Sequence, residues 1–173
     1  MALSQEQLKF IMQRYDNYIN GANTKGAFLL AFNTFLCGGL LTNYKTLTDL
    51  VGAPHLLYLK LGILFLVLAG IASLVIVLLA VYPFLSSGNS TQDKYHSLIY
   101  FGSVAQFPDA KAYHAAILAQ DDAAASEDVA RQTYLLSKAL FSKFKKLEWA
   151  TKIIFLQLVI VLFCVFLIMC KGV

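Results

Sequence analysis

Three apolar runs, at residues 26–44, 59–82 and 153–170, constrain this chain more than any other feature. A helix rises about 1.5 Å per residue and a hydrocarbon core is about 30 Å thick, so each run is long enough to cross a bilayer. Their interiors carry no charge; polarity is confined to residues such as Asn33, Thr34 and Thr42 in the first, Ser73 in the second and Gln157 in the third. A core helix of a water-soluble domain would show a polar face at 3.6-residue spacing. These runs show none, so the reading is a mainly α protein with three transmembrane helices.

The composition agrees: 58% of the 173 residues are hydrophobic and the mean hydropathy is +0.64. Outside the runs lie an N-terminal arm (1–25), a first loop (45–58), a polar block (83–152) and a tail (171–173). Arm and block together suffice for one small domain, marginal on its own. Cys37, Cys164 and Cys170 all fall inside apolar runs. Their spacing fits neither a disulfide framework nor a metal site, and they read as small hydrophobes; no metal or cofactor is expected. No cleavable signal is visible, so the first span is expected to remain as a signal anchor.

Lysine and arginine set the sidedness. Arm and block carry eleven of the fourteen, leaving Lys45, Lys60 and Lys171 for the opposite side. This places arm and block in the cytoplasm and, with three spans, the C-terminus outside.

The arm reads as an amphipathic helix. Ser4 and Gln7 have capping-box spacing. Leu8, Ile11, Met12, Tyr15, Ile19 and Ala22 then recur at helical intervals, and this face is expected to pack on the cytoplasmic domain rather than on the bilayer. Residues 86–90 read as a flexible loop. The β-branched and aromatic segment 98–102 predicts a short strand or extended segment. Pro108 and Asp109 predict a helix start, running to about residue 119. From about Ser126, with Glu127 and Asp128 at its positive end, the sequence predicts one continuous helix of about 45 residues, ~65 Å long, from the cytoplasm through the membrane. Trp149 suits the interface.

Along that helix Arg131, Lys138, Lys145 and Lys152 recur every seven residues, and Lys143 and Lys146 widen the basic zone. The pattern fits a site for an anionic ligand or a solvated flank touching anionic headgroups. Lys25, after Asn23 and Thr24, stands at the mouth of the first span and can snorkel. Asn33, Thr34 and Gln157 are polar at membrane depth, where they bond between helices or line an aqueous path. Gly38, Gly39, Gly62, Ala69, Gly70 and Ser73 permit close helix contact and self-association.

Enzyme signals are weak. Hydrolase, zinc-protease and phosphate-loop motifs are absent, His55, His96 and His114 lack ligand spacing, and Glu148 among lysines is the nearest approach to a catalytic group at the interface. Nucleic-acid binding is not expected, because eleven basic residues face nine acidic ones on the cytoplasmic side.

Three stretches carry a family resemblance: Ala22-Asn23-Thr24-Lys25-Gly26-Ala27-Phe28-Leu29-Leu30-Ala31-Phe32-Asn33 at the first span; Leu98-Ile99-Tyr100-Phe101-Gly102; and residues 127–138, which lead through Lys143 and Phe144 into the last span. In this order they resemble the transmembrane effectors of Pycsar, a bacterial anti-phage system. The resemblance implies an inner-membrane protein held inactive until a companion pyrimidine cyclase makes cyclic CMP or cyclic UMP. The effector then damages the membrane and arrests the infected cell. Where Asn23 stands, the family often has Asp. A cyclic mononucleotide needs a cation or backbone donors for its phosphate and an aromatic or apolar wall for its base. Arg131, Lys138, Tyr134, Tyr100 and Tyr95 supply those groups, and Arg131→Glu is expected to abolish ligand binding. A homo-oligomer in contact with lipid is expected. The alternative is a membrane-anchored scaffold that docks a soluble partner.

Overall fold

The computed structural model describes residues 4–83 and 96–170. Tyr95 and the loop expected at residues 86–90 lie outside them. The described residues are helical, with no strand, in the order α1 (Gln5–Thr42), α2 (Tyr44–Asp49), α3 (Ala53–Val81), α4 (Phe101–Val104), α5 (Ala110–Ala119) and α6 (Asp122–Met169). Three of them, α1, α3 and α6, are long and apolar enough to span a membrane. The chain divides into two units, residues 1–20 with 83–142 and residues 21–82 with 143–173. Helices α1 and α6 supply residues to both.

Unit one begins with the capping box read from the sequence. Ser4 N donates to Gln7 Oε1 at 2.9 Å and Gln7 N to Ser4 Oγ at 3.2 Å. The arm and the first span, expected as separate segments on either side of residue 25, form one helix. Helix α5 starts where Pro108 and Asp109 predict, with the Asp109 carboxylate accepting from Ala112 N at 2.7 Å. The long last helix is present, 48 residues in all, and begins about a turn before the expected start, where Asp121 Oδ1 accepts from Ala124 N at 2.7 Å. An Asp side chain that satisfies an orphan N–H of the first turn is a strong start signal.

Two expectations are corrected here. No strand forms at residues 98–102: residues 98–100 bend, and Phe101 and Gly102 open α4. Side chains claim the donors a strand would need: Leu98 N goes to Asp128 Oδ2, and Ile99 N and Tyr100 N go to Ser97 Oγ. Asp128 does not sit at the positive end of α6. It lies nearly two turns in, buried, holding that bend.

Unit two is a bundle built from α1, α3 and α6. Two apolar clusters stack along it. Val51, Leu59, Ile63, Leu66, Cys164 and Leu167 form one; Ala22, Val77, Ala80, Leu147 and Ala150 form the other. Between them on all three helices lies a polar layer: Asn33, Ser73 and Gln157, each fully buried. Small residues let the backbones approach. A Cβ on Gly62 would meet Cys164 Sγ at 2.7 Å, and one on Gly26 would meet Val81 Cγ1 at 2.7 Å. Gly38 and Gly39 have nothing within 4 Å and are not used in this packing. Thr34, expected to share the polar role, lies on an exposed face.

Candidate functional site

The site in unit one is built on a buried carboxylate. Asp128, only 3% exposed, accepts from Ser97 Oγ at 2.7 Å and Leu98 N at 2.8 Å. Ser97 Oγ in turn accepts from Tyr100 N at 3.1 Å, and Tyr113 Oη donates to Leu98 O at 2.8 Å. Three contacts from two helices, and one within the bend, thus fix residues 97–100. Phe107 packs edge-on against His96 and tilted against Tyr113.

This bend positions Tyr100. Its ring lies so close over Gly102 that a Cβ there would stand 2.4 Å from Tyr100 Cε1. Glycine at 102 therefore sets where the ring goes. Together with Ile99 and Phe101, Tyr100 lines a cavity of about 330 Å³ whose other walls are Met12 and Asp16 of α1 and Gln132, Leu135 and Leu136 of α6. Gln132 is one turn beyond Asp128 and 4% exposed. Tyr100 Oη and Gln132 Nε2 are buried without a hydrogen-bond partner in the protein. A buried polar atom left alone costs ~1–3 kcal/mol, and native folds seldom retain one without a reason. The cavity is thus apolar-walled, offers one amide donor and one hydroxyl, and has a carboxylate on exposed Asp16 at its rim. Its volume is at the lower end of the ~300–1,000 Å³ usual for small-molecule sites.

The residues proposed from sequence separate. Arg131, Tyr134 and Lys138 share an exposed side of α6, with Lys138 Nζ 5.6 Å from the Tyr134 ring centroid. Tyr100 joins Gln132 in the cavity instead. Tyr95 lies outside the described residues. Sequence reasoning passed over Asp128, Gln132 and Asp16. A signal existed: Asp128 and Gln132 are four residues apart and share a side of α6 with Leu135 and Leu136, a place where polar residues are not expected without partners.

Asp128→Ala should therefore cost about 3 kcal/mol, since it strands Ser97 Oγ and Leu98 N in a buried setting. It should also lower the melting temperature in detergent. An unchanged melting point would show that the bend does not depend on this carboxylate.

In unit two the entry motif acquires a structural role. Asn23 Oδ1 accepts from Lys143 Nζ at 3.2 Å, and the same ammonium donates to Ala80 O at 2.8 Å and Tyr82 O at 3.4 Å. Lys146 Nζ donates to Leu79 O at 3.2 Å. Lys143 is 8% exposed, so it is a buried helix cap rather than part of a solvated basic flank. Lys25 Nζ lies 5.9 Å from the Phe144 ring centroid, and Thr24 is exposed.

Three membrane-length helices define a helical membrane protein, and its small helical unit holds a partly polar, ligand-sized recess. The chain belongs to the Pycsar effector family: the family profile described as Pycsar effector protein domain matches residues 7–170. Its role is accordingly that of an anti-phage effector. No curated protein and no solved structure matches the chain significantly.

Proposed function

We propose that this effector senses a cyclic pyrimidine mononucleotide in the unit-one cavity and responds by disrupting the bacterial inner membrane, arresting the infected cell. The observation that carries the reading is the pair of buried, unpartnered atoms, Tyr100 Oη and Gln132 Nε2, in a recess of small-molecule size. A pyrimidine presents carbonyl and ring-nitrogen acceptors to such donors and an amino or imide hydrogen to the Asp16 carboxylate. The ribose and cyclic phosphate then extend outward past the rim; Arg131 and Lys138, on an exposed side of α6, do not line the cavity. Helix α6, which belongs to both units, is the element through which binding reaches the bundle. In this reading the activity is non-enzymatic, unit one is cytoplasmic, the C-terminus is outside, the active form is a homo-oligomer, and the trigger comes from a partner nucleotide cyclase.

Calorimetric titration of the detergent-purified protein with cyclic CMP, cyclic UMP, cyclic AMP and cyclic GMP tests it. A pyrimidine cyclic nucleotide should bind and the purines should not. Gln132→Leu should weaken binding about tenfold or more, the loss of one buried hydrogen bond of roughly 1.5 kcal/mol. Arg131→Glu reports separately on the phosphate. If none of the four nucleotides binds a folded, monodisperse sample, the sensing proposal is wrong. If Gln132→Leu binds as the parent does, the cavity is not the site.

A further inference from the structure

The polar layer of the membrane bundle lies between two apolar clusters and is incompletely bonded. Asn33 Nδ2 donates to Ser73 Oγ at 3.0 Å, Ser73 Oγ donates to Ala150 O at 3.4 Å, and Gln157 Nε2 donates to Leu66 O at 3.1 Å. Gln157 Nε2 faces a backbone carbonyl, and Ser73 Oγ, whose one hydrogen goes to Ala150 O, is left to accept from Asn33, so the amide orientations follow from the network. The two amide oxygens, Asn33 Oδ1 and Gln157 Oε1, are left with no protein partner, and both residues are fully buried. Lipid tails offer no donor at this depth. Both amides reach the same side of α3: a Cβ on Gly70 would stand 3.1 Å from Gln157 Nε2 and 3.6 Å from Asn33 Oδ1.

We propose that Asn33, Ser73 and Gln157 form an intramembrane water site, and that this site seeds the aqueous path through which the membrane is permeabilised. The second half of the proposal rests on the membrane-disrupting reading above. Water supplies two donors for two orphan acceptors. A cation is the poorer occupant, because no carboxylate in the layer offsets the cost of dehydrating it. The clusters on either side, Leu59 and Leu66 towards one end and Val77 and Leu147 towards the other, are packed apolar cores; in this proposal they act as the dry constrictions that gate by wetting. Parting the helices by the width of a water chain would join the layer to both surfaces.

The full-length protein in lipid bilayers, without nucleotide, provides the first measurement. In solid-state NMR, magnetisation from water should reach the side-chain amides of Asn33 and Gln157 but not the backbone amides of Leu66 and Val77. Dry side-chain amides would overturn the proposal. In liposomes Val77→Thr, nearly isosteric, should raise ion leak several-fold without nucleotide, and adding Asn33→Leu should remove the gain. Leu147→Gln is the second gate variant, and circular dichroism checks that each folds. Wet amides with both gate variants at the parent's leak rate would overturn the seeding role. Wet amides and leaking gate variants, in a protein that no cyclic nucleotide opens, would support this site and refute the sensing reading instead.

Discussion

Gly70→Val is expected to prevent the membrane bundle from assembling as described. A Cβ at position 70 would lie 2.2 Å from Cys37 Sγ, far inside contact distance, as well as 3.1 Å from Gln157 Nε2. The thiol is buried, so a different χ1 rotamer has to find room among packed neighbours. Overpacking of this kind costs about 1–3 kcal/mol and sometimes more, and valine adds two methyl groups beyond the Cβ. Even Gly70→Ala should lower the melting temperature, followed through Trp149 fluorescence in detergent. Cys37→Ala should restore part of that loss, because it removes the nearest clashing atom. Gly38→Ala is the control: with nothing within 4 Å of its Cβ position, it should be neutral or gain up to ~1 kcal/mol from helix propensity. A Gly70→Ala protein as stable as the parent would refute the packing of α1 against α3 at this level.

The second large effect is expected at Lys143. The last carbonyls of α3 have no partners within the helix, and two lysines of α6 supply them: Lys143 for Ala80 O and Tyr82 O, Lys146 for Leu79 O. Cations at this end also complement the helix dipole. Lys143→Met keeps the aliphatic bulk and removes every donor, stranding two backbone carbonyls and Asn23 Oδ1. The expected loss is about 3 kcal/mol. Lys146→Met, at a less buried position with one such bond, should cost less. Burial, and secondarily the charge of Lys146, lowers the Lys143 pKa below the ordinary lysine value. The folded protein therefore releases this proton at a lower pH than the unfolded chain. Between those two values the unfolded chain holds more protons, so stability should rise with pH in the alkaline range. That rise should vanish in Lys143→Met. Equal melting curves for parent and variant across this range would show that the ammonium does not cap α3.

Much of the architecture was legible because it follows from local rules. Length and apolarity marked the three spans, capping chemistry marked the starts of α1 and α5, and the absence of Pro and Gly marked the length of α6. The candidate site was less legible. Arg131, Tyr134 and Lys138 have the chemistry of a phosphate and base site, yet helical geometry places them on an exposed side, away from Tyr100. Gln132 looked unremarkable beside them, and its importance comes from being 96% buried with a free donor, a property no residue carries in its letter. The segment 98–102 failed as a strand for a related reason. Its composition favours extension, but Asp128, thirty residues away, takes the Leu98 N–H.

The sequence alone determined that this chain enters a membrane, how many times its helices can cross, and where α1 and α5 begin. Burying uncharged runs in hydrocarbon and satisfying the first turns of helices are decided by neighbours in the chain. Tertiary structure decided which polar residues find partners. Asn23 and Lys143 meet across 120 residues, and Asn33 and Ser73 across 40. Tyr100 and Gln132 face one cavity with nothing to bond to. Whether a hydrogen bond is made depends on positions in space that helix packing sets, and the period of a helix specifies only the side from which each residue starts.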